Sequence, residues 1–240
     1  MRLKNEFWVI IPARSGSKSI INKNIKLINN QPLIAYSLLA AKKNKHFKKI
    51  IFSSDSIKYF NIAKKYSNFF FHKRNKKTSH DNVTEIQVLQ DFIKIYSKKN
   101  KFLPEFFVSF RQTSPIRYQN TINKALNIFI NKEKKYSGLR SVSLMSQTSL
   151  KTHRIVKKKL CALTKKDFNI EKYNLPRQSY PKTYESNGAI DIYKTKNILN
   201  GSGLGNKVFP FIVNDINSDI DNLDELDYVK YYVKKNKFKI

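Results

Sequence analysis

Residues 8–24 read WVIIPARSGSKSIINKN. The apolar run Trp8–Ile11 passes through Pro12 into a loop that carries Arg14, Gly16, Ser17, Lys18, Lys23 and Asn24. Three cations beside small residues at a strand end call for an anionic partner. A phosphate-binding loop needs backbone N–H groups, a small residue for close approach and a cation, and Ala13–Lys18 supplies all three. It is not a Walker A loop, because the next glycine after Gly16 is Gly138. The later run Gly201-Ser202-Gly203-Leu204-Gly205 is not a dinucleotide fingerprint either, since position 206 is asparagine; it reads as a turn.

Outward from this loop, short apolar runs alternate with helix-length segments. Strands are expected at Phe7–Ile11, Lys49–Ser53, Phe69–Phe71 and Glu105–Phe110, with helices at Leu33–Lys43, Ile57–Tyr66, Val83–Tyr96 and Thr121–Ile130. Strands without internal alternation are buried on both faces, as in a parallel sheet covered by helices. The reading is an α/β, doubly wound, mostly parallel sheet, with ligands bound beyond the carboxyl ends of its strands. After Ser137 the rhythm changes. Strand-like Gly138–Met145 and Ala189–Tyr193 flank a lysine-rich middle, read as an inserted arm of about residues 140–186 and a possible dimer contact. Val208–Val213 returns to the sheet and a helix over about Leu223–Val233 closes the chain. One domain over residues 1–240 is expected.

The chain has 240 residues, enough for one sizeable core. Cys161 is its only cysteine, so no internal disulfide can form. No apolar run approaches a membrane span, which leads to the expectation of a soluble, cytoplasmic protein. The net charge of +30 is carried by 47 basic residues, of which eight are arginine. Their lysine pairs are strewn along every segment rather than gathered on one face. The charge therefore reads as solvated helix surface, and nucleic acid is the distant alternative partner.

Acidic residues behave differently. Six of the 17 (Asp215, Asp219, Asp221, Asp224, Glu225 and Asp227) fall within residues 215–227. In an extended segment residues i and i+2 point to the same side, so Asp219 and Asp221 can converge on one ion, and Mg²⁺ is the expected cofactor. Asp221 or Asn222 can also cap the last helix, whose first turn Asp224 and Glu225 would favour. Asp55, in Ser-Ser-Asp-Ser after the second strand, reads as another helix cap. The four histidines (46, 72, 80 and 153) have no zinc spacing and read as structural or surface residues.

The segment Ile11–Ile25 resembles the signature I-P-A-R-x-G-S-K-x-I-x-x-K-N-I of the CMP-sialic acid synthetases, the acylneuraminate cytidylyltransferases. The likeness continues in order through Gln31–Tyr36, Ser53-Ser54-Asp55, Arg74 with Asp81, Thr113–Arg117, Pro176-Arg177-Gln178, Asn187–Ile190 and Asp219-Ile220-Asp221. It implies a nucleotidyltransferase-like fold with a small dimerisation arm, hence a homodimer. It also implies transfer of CMP from CTP to the anomeric hydroxyl of a nonulosonic acid, with pyrophosphate released; Kdo is the alternative acceptor. Ala13, Arg14, Gly16, Ser17, Lys18, Lys23, Asn24, Arg74, Thr113 and Ser114 would bind the nucleotide. Arg14, Lys18, Lys23 and Asp221 would carry catalysis, and Asp219 with Asp221 would hold the metal. The acceptor's carboxylate asks for a fixed cation. Arg111, Lys151, Arg177 and Gln178 are the candidates, with Asn187 and Gly188 shaping the pocket. The corresponding family segment L-Q-P-T-S-P-L-R has glutamine at position 111 and proline at 112, where this chain has Arg111 and Gln112.

Overall fold

Strand β1 (Arg2–Pro12) sends Phe7, Val9 and Ile11 to one face and Trp8 and Ile10 to the other, all of them buried. A strand so apolar on both sides requires two covering layers, and both are present in the computed structural model, which describes residues 2–163, 171, 174–216 and 218–238. The first layer comprises α1 (Leu33–Lys43), α2 (Ile57–Ala63) and α4 (Gln119–Lys132). The second comprises α3 (Glu85–Ser97) and the short α5 (Thr195–Leu199). Helix α3 starts at a capping box formed by Thr84 and Gln87, two residues later than the apolar pattern suggests.

Between the layers lies a seven-stranded sheet. Its other members are β4 (Phe47–Ser54), β5 (Phe70–Lys73), β6 (Phe102–Ser109), β7 (Gly138–Leu144), β10 (Tyr184–Lys194) and β11 (Val208–Ile212), in the order β11-β7-β10-β6-β1-β4-β5. β1 pairs in parallel with both β4 and β6, and β4 with β5; β10 runs antiparallel to β6 and β7. The chain moves from β1 to one side and then returns to place β6 on the other. The switch point therefore lies at the carboxyl ends of β1 and β6, where a doubly wound sheet opens a crevice.

Two small hairpins stand outside this sheet, β2–β3 (Leu27–Ile28 with Gln31–Pro32) and β8–β9 (His153–Val156 with Lys159–Ala162). The second belongs to the segment between β7 and β10, part of which lies outside the described residues. Gly201, Gly203 and Gly205 all have positive φ and form the turn from α5 towards β11.

The last helix, α6 (Leu223–Lys235), is capped by Asn222 in a reciprocal box with Glu225. Its Leu226, Val229 and Val233 pack in a third core cluster with Ile20, Ile28, Leu33, Tyr36, Ile116 and Ile220. This cluster is remote in sequence and positions the site. Ile20 belongs to the first loop, Ile116 to the loop after β6, and Ile220 sits between the two candidate metal aspartates. Burying three isoleucines together stabilises the junction by roughly 1.5–3 kcal/mol each.

Candidate functional site

A cleft of about 630 Å³ opens at the switch point, lined by residues of the first loop (Arg14, Ser17, Lys18, Lys23 and Asn24) together with Arg74, Asp81, Gln112 and Thr113. The loop is pinned from several directions. Ala13 N–H donates to the Ser53 carbonyl at 2.7 Å, and Asn24 Nδ2 donates to the Arg14 carbonyl at 2.8 Å. The carboxylate of Asp55 accepts from Ser15 N at 2.8 Å and Ser15 Oγ at 2.9 Å. Asp55 is thus not the helix cap expected from sequence. Ser56 caps α2, and Asp55 is left to hold the loop. Gly16 is not held in the left-handed region, and a Cβ there would meet Arg14 Nη1 at 3.6 Å, an ordinary contact. The chain's own packing therefore makes no demand for glycine at 16.

Lys23 joins the loop to the distant acidic segment. Its ammonium is buried, donates to the Ile220 carbonyl at 2.7 Å and lies 3.1 Å from Asp221 Oδ1. Ile220 N–H in turn donates to the Thr113 carbonyl at 2.7 Å, and Ser114 Oγ lies 3.5 Å from Asp219 Oδ1. The two aspartates thus flank buried Ile220; Asp221 pairs with cleft-lining Lys23, and neither aspartate is itself among the residues lining the cleft. Glu225 Oε2 accepts from Asp221 N at 2.6 Å, so the cap of α6 engages this backbone and not the Asp221 carboxylate. Among the described residues no cluster of three or more metal-ligating side chains exists. Two hard carboxylate oxygens nevertheless suit Mg²⁺, which takes its remaining ligands from phosphate and water.

Asp81 supplies a carboxylate that the sequence argument placed in a motif but gave no role. It forms ion pairs with both Arg14 and Lys18. Hydrogen bonds from Lys18 and then Arg14 hold its carboxyl down at about 2. A neighbouring carboxylate thereby occupies the two cations assigned to the triphosphate. Across the cleft, burial pushes the Arg74 guanidinium down to about 10, against the attraction of Asp55 and Glu85, and it remains charged at neutral pH.

Arg111 does not line the cleft. Its guanidinium lies 3.6 Å from both Glu85 and Asp191, and Arg140 meets Asp191 at 2.9 Å. Burial opposes the charge of Arg111, but Glu85 and Asp191 outweigh it and raise its pKa above the ordinary value. The cleft wall is taken instead by Gln112, a buried residue whose Nε2 has no hydrogen-bond partner among the described residues. Only the burial of 112 and the turning-away of 111 reveal this exchange, and neither is visible in sequence. Arg117, the last residue of the motif Thr113–Arg117, has a role that its sequence position does not disclose. It is buried and draws the carbonyls of Arg111, Gly188 and Ala189 together, with Ser37 Oγ as its fourth partner.

The expected sugar residues divide into two groups. Asn187 and Gly188 lie against the loop after β6, where Ser114 Oγ donates to the Asn187 carbonyl at 2.7 Å. Gly188 has φ of 65°, and a Cβ there would fall 2.7 Å from Ser114 Oγ, so only glycine fits. Ser114 is thus spent on packing this junction and is not among the residues lining the cleft. Arg177 and Gln178 line a separate cavity of about 390 Å³ in the arm, along with Tyr180. Lys151 stands over the Tyr180 ring at 5.2 Å. The described chain does not bring these three residues to the cleft at the switch point.

A cationic loop at the switch point of a doubly wound sheet, faced by carboxylates from a remote segment, defines a nucleotide-using transferase. The family model described as cytidylyltransferase matches residues 8–234, and the chain belongs to that family, as a relative of the CMP-sialic acid synthetases. It is therefore a nucleotidyltransferase. Post-translational flagellin modification protein B of Campylobacter coli is 29% identical over 237 residues, 96% of each chain. CMP-N,N'-diacetyllegionaminic acid synthase of Campylobacter jejuni is 29% identical over 227 residues, 93% of this chain and 92% of that one. N-acylneuraminate cytidylyltransferase of Escherichia coli O18:K1:H7 is 30% identical over 243 residues, and the match spans 55% of that longer protein. Among solved structures, a CMP:2-keto-3-deoxy-manno-octonic acid synthetase complexed with CTP superposes with a TM-score of 0.66 over 96% of this chain and 99% of its own, at 12% identity, a likeness of fold.

Proposed function

We propose that this protein transfers CMP from CTP to the anomeric hydroxyl of a nonulosonic acid and releases pyrophosphate. The supporting observation is the Lys23 bridge: Lys23 lines the cleft with the other cations of the first loop, and its ammonium bonds Ile220 and Asp221 of the remote acidic segment. In this reading the hydroxyl oxygen attacks the α-phosphorus as the bond to the β-phosphate breaks. Phosphoryl chemistry asks the protein chiefly for position and charge. Arg14, Lys18 and Lys23 gather the triphosphate, and Arg74 holds the nucleotide from the opposite wall. Gln112 offers an amide where Arg111 has withdrawn. Asp219 and Asp221 would hold Mg²⁺, which supplies Lewis-acid polarisation of the α-phosphate. The hydroxyl proton would pass either to the exposed Asp221 carboxylate or to hydroxide on the metal that the two aspartates would hold.

The arm carries exposed apolar side chains, Ile155, Leu160, Leu163 and Leu175. They support a homodimer formed through it, in which Lys151, Arg177 and Gln178 meet the acceptor's carboxylate. No helix among the described residues is long and apolar enough to cross a membrane, in keeping with an enzyme working in the cytoplasm.

The test is pyrophosphate release from CTP with Mg²⁺ and a panel of acceptors: sialic, legionaminic and pseudaminic acids, with Kdo as the contrasting eight-carbon acid. Release with a nine-carbon acid and not with Kdo is the expected result. Asp221→Asn should cost roughly 10²–10³ in turnover, and a folded variant with normal turnover would remove that assignment.

A further inference from the structure

Behind the cleft wall, four side chains from three elements and a loop form a single buried file. Arg74 Nε donates to Ser53 Oγ at 2.9 Å, Ser53 Oγ lies 3.0 Å from His72 Nδ1, and His72 Nε2 lies 3.0 Å from Asp91 Oδ2. Ser53 is wholly buried and His72 almost so. Asp91, on α3, also accepts from Asn75 Nδ2 at 3.3 Å, and Asn75 caps the turn that follows Arg74.

We propose that Ser53, His72 and Asp91 are positioning residues that aim the Arg74 guanidinium into the nucleotide cleft through a hydrogen-bond chain with one permitted proton order. Donor chemistry fixes that order. Arginine only donates, so Ser53 receives from Arg74 and has its own proton to give. A carboxylate only accepts, so the His72 proton sits on Nε2 and faces Asp91. Neutral imidazole has one N–H, which leaves Nδ1 to accept from Ser53. Burial lowers the His72 pKa against the opposing pull of Asp91, which favours this neutral form. Every member of the file is satisfied in one arrangement.

The file ends at a ligand-facing group. Arg74 lines the cleft, yet its described side-chain hydrogen bonding stops at Nε. Among the described residues neither terminal nitrogen has a hydrogen-bond partner, and neither counts among the buried atoms left without one. A guanidinium anchored by Nε presents its two remaining nitrogens as a rigid fork suited to an anion or a base edge. Ser53 reinforces the site a second time, because its carbonyl holds Ala13 N–H. A serine, histidine and aspartate in sequence here are not a hydrolytic triad. Ser53 Oγ is inaccessible and already accepts from arginine, so it cannot meet a substrate carbonyl.

The proposal rests on Arg74 contacting the nucleotide, and calorimetric titration with CTP tests the two separately without needing the acceptor. Arg74→Ala sets the full loss. Ser53→Ala and His72→Gln should each weaken CTP binding about tenfold, the scale of a charge-assisted hydrogen bond. His72→Asn, whose amide oxygen falls near the Nδ1 position, should restore binding to within about threefold of wild type. Combined with Arg74→Ala, Ser53→Ala should add nothing further, because both act through the same group. Should Ser53→Ala not fold, the His72→Gln and His72→Asn pair carries the same comparison. If Arg74→Ala weakens binding while both His72 variants match wild type, the relay is overturned. It is equally overturned if the Ser53→Ala loss persists undiminished without Arg74. Unchanged CTP affinity in Arg74→Ala would remove the nucleotide role of Arg74 and the relay's purpose with it.

Discussion

The nucleotide cleft and the arm are built on different terms. In the cleft Lys23, Asn24 and Arg74 are all buried; Lys23 and Arg74 are fixed by hydrogen bonds to distant parts of the fold, and Asn24 by one across its own loop. In the arm Arg177 lines a separate cavity, Lys151 stands over the Tyr180 ring, and Ile155 stands 77% exposed on a two-stranded hairpin. The difference teaches where local pattern is enough. A residue one or two positions past a parallel strand inherits its place from the sheet register. A residue on an arm inherits its place from whatever the arm packs against.

The sharpest way to break this contrast is to remove the cation that joins the two chain ends. Lys23→Met deletes the bridge to Ile220 and Asp221, and turnover with CTP should fall by roughly 10²–10³ in a steady-state pyrophosphate assay. Next comes the packing that makes the bridge possible. Ile220→Ala opens a void against Ile20 and Ile116, should destabilise by about 2–5 kcal/mol and should lower the melting temperature by about 5–15 °C in calorimetry. On the arm side, Ile155→Ser with Leu160→Ser should shift the mass measured by light scattering from dimer to monomer, with CTP affinity unchanged within about twofold. A loss of CTP affinity there would tie the two regions more closely than the single chain does.

Smaller effects probe Asp81. In the proposed reading the triphosphate must displace it from Arg14 and Lys18, so Asp81→Asn should tighten CTP binding by about two- to fivefold in titration calorimetry. The carboxyl of Asp81 is held at about 2, below its ordinary 3.8. Its contribution to stability is therefore present above about 3.8 and lost as pH falls towards 2, and Asp81→Asn should flatten the acid limb of a melting-temperature profile in that window.

Much of this was legible before any coordinates. The apolar runs at Phe7–Ile11 and Lys49–Ser53 marked central strands, and the helix over Leu33–Lys43 has the bounds its pattern suggested. Both ran true because burial on two faces leaves a continuous apolar signal. The hairpins and α5 leave no signal in the sequence, since elements of two to five residues carry too little periodicity to register. Sequence points to Asp55 as a cap because a short polar residue before a helix usually is one. The neighbouring Ser56 took that role and freed the carboxylate for Ser15.

The sequence by itself determined the kind of site: a strand running into Arg14, Lys18 and Lys23, and a late pair of aspartates, because charge and spacing along the chain are local properties. Only the tertiary structure decided which of these groups meet. Lys23 reaches Asp221 because Ile20, Ile116 and Ile220 share one core. Arg111 yields to Gln112 because Glu85 and Asp191 draw it away. His72 turns from an unremarkable histidine into the support of Arg74 because β4, β5 and α3 converge around it. Such contacts join residues far apart in the chain, and only packing brings them within hydrogen-bond reach.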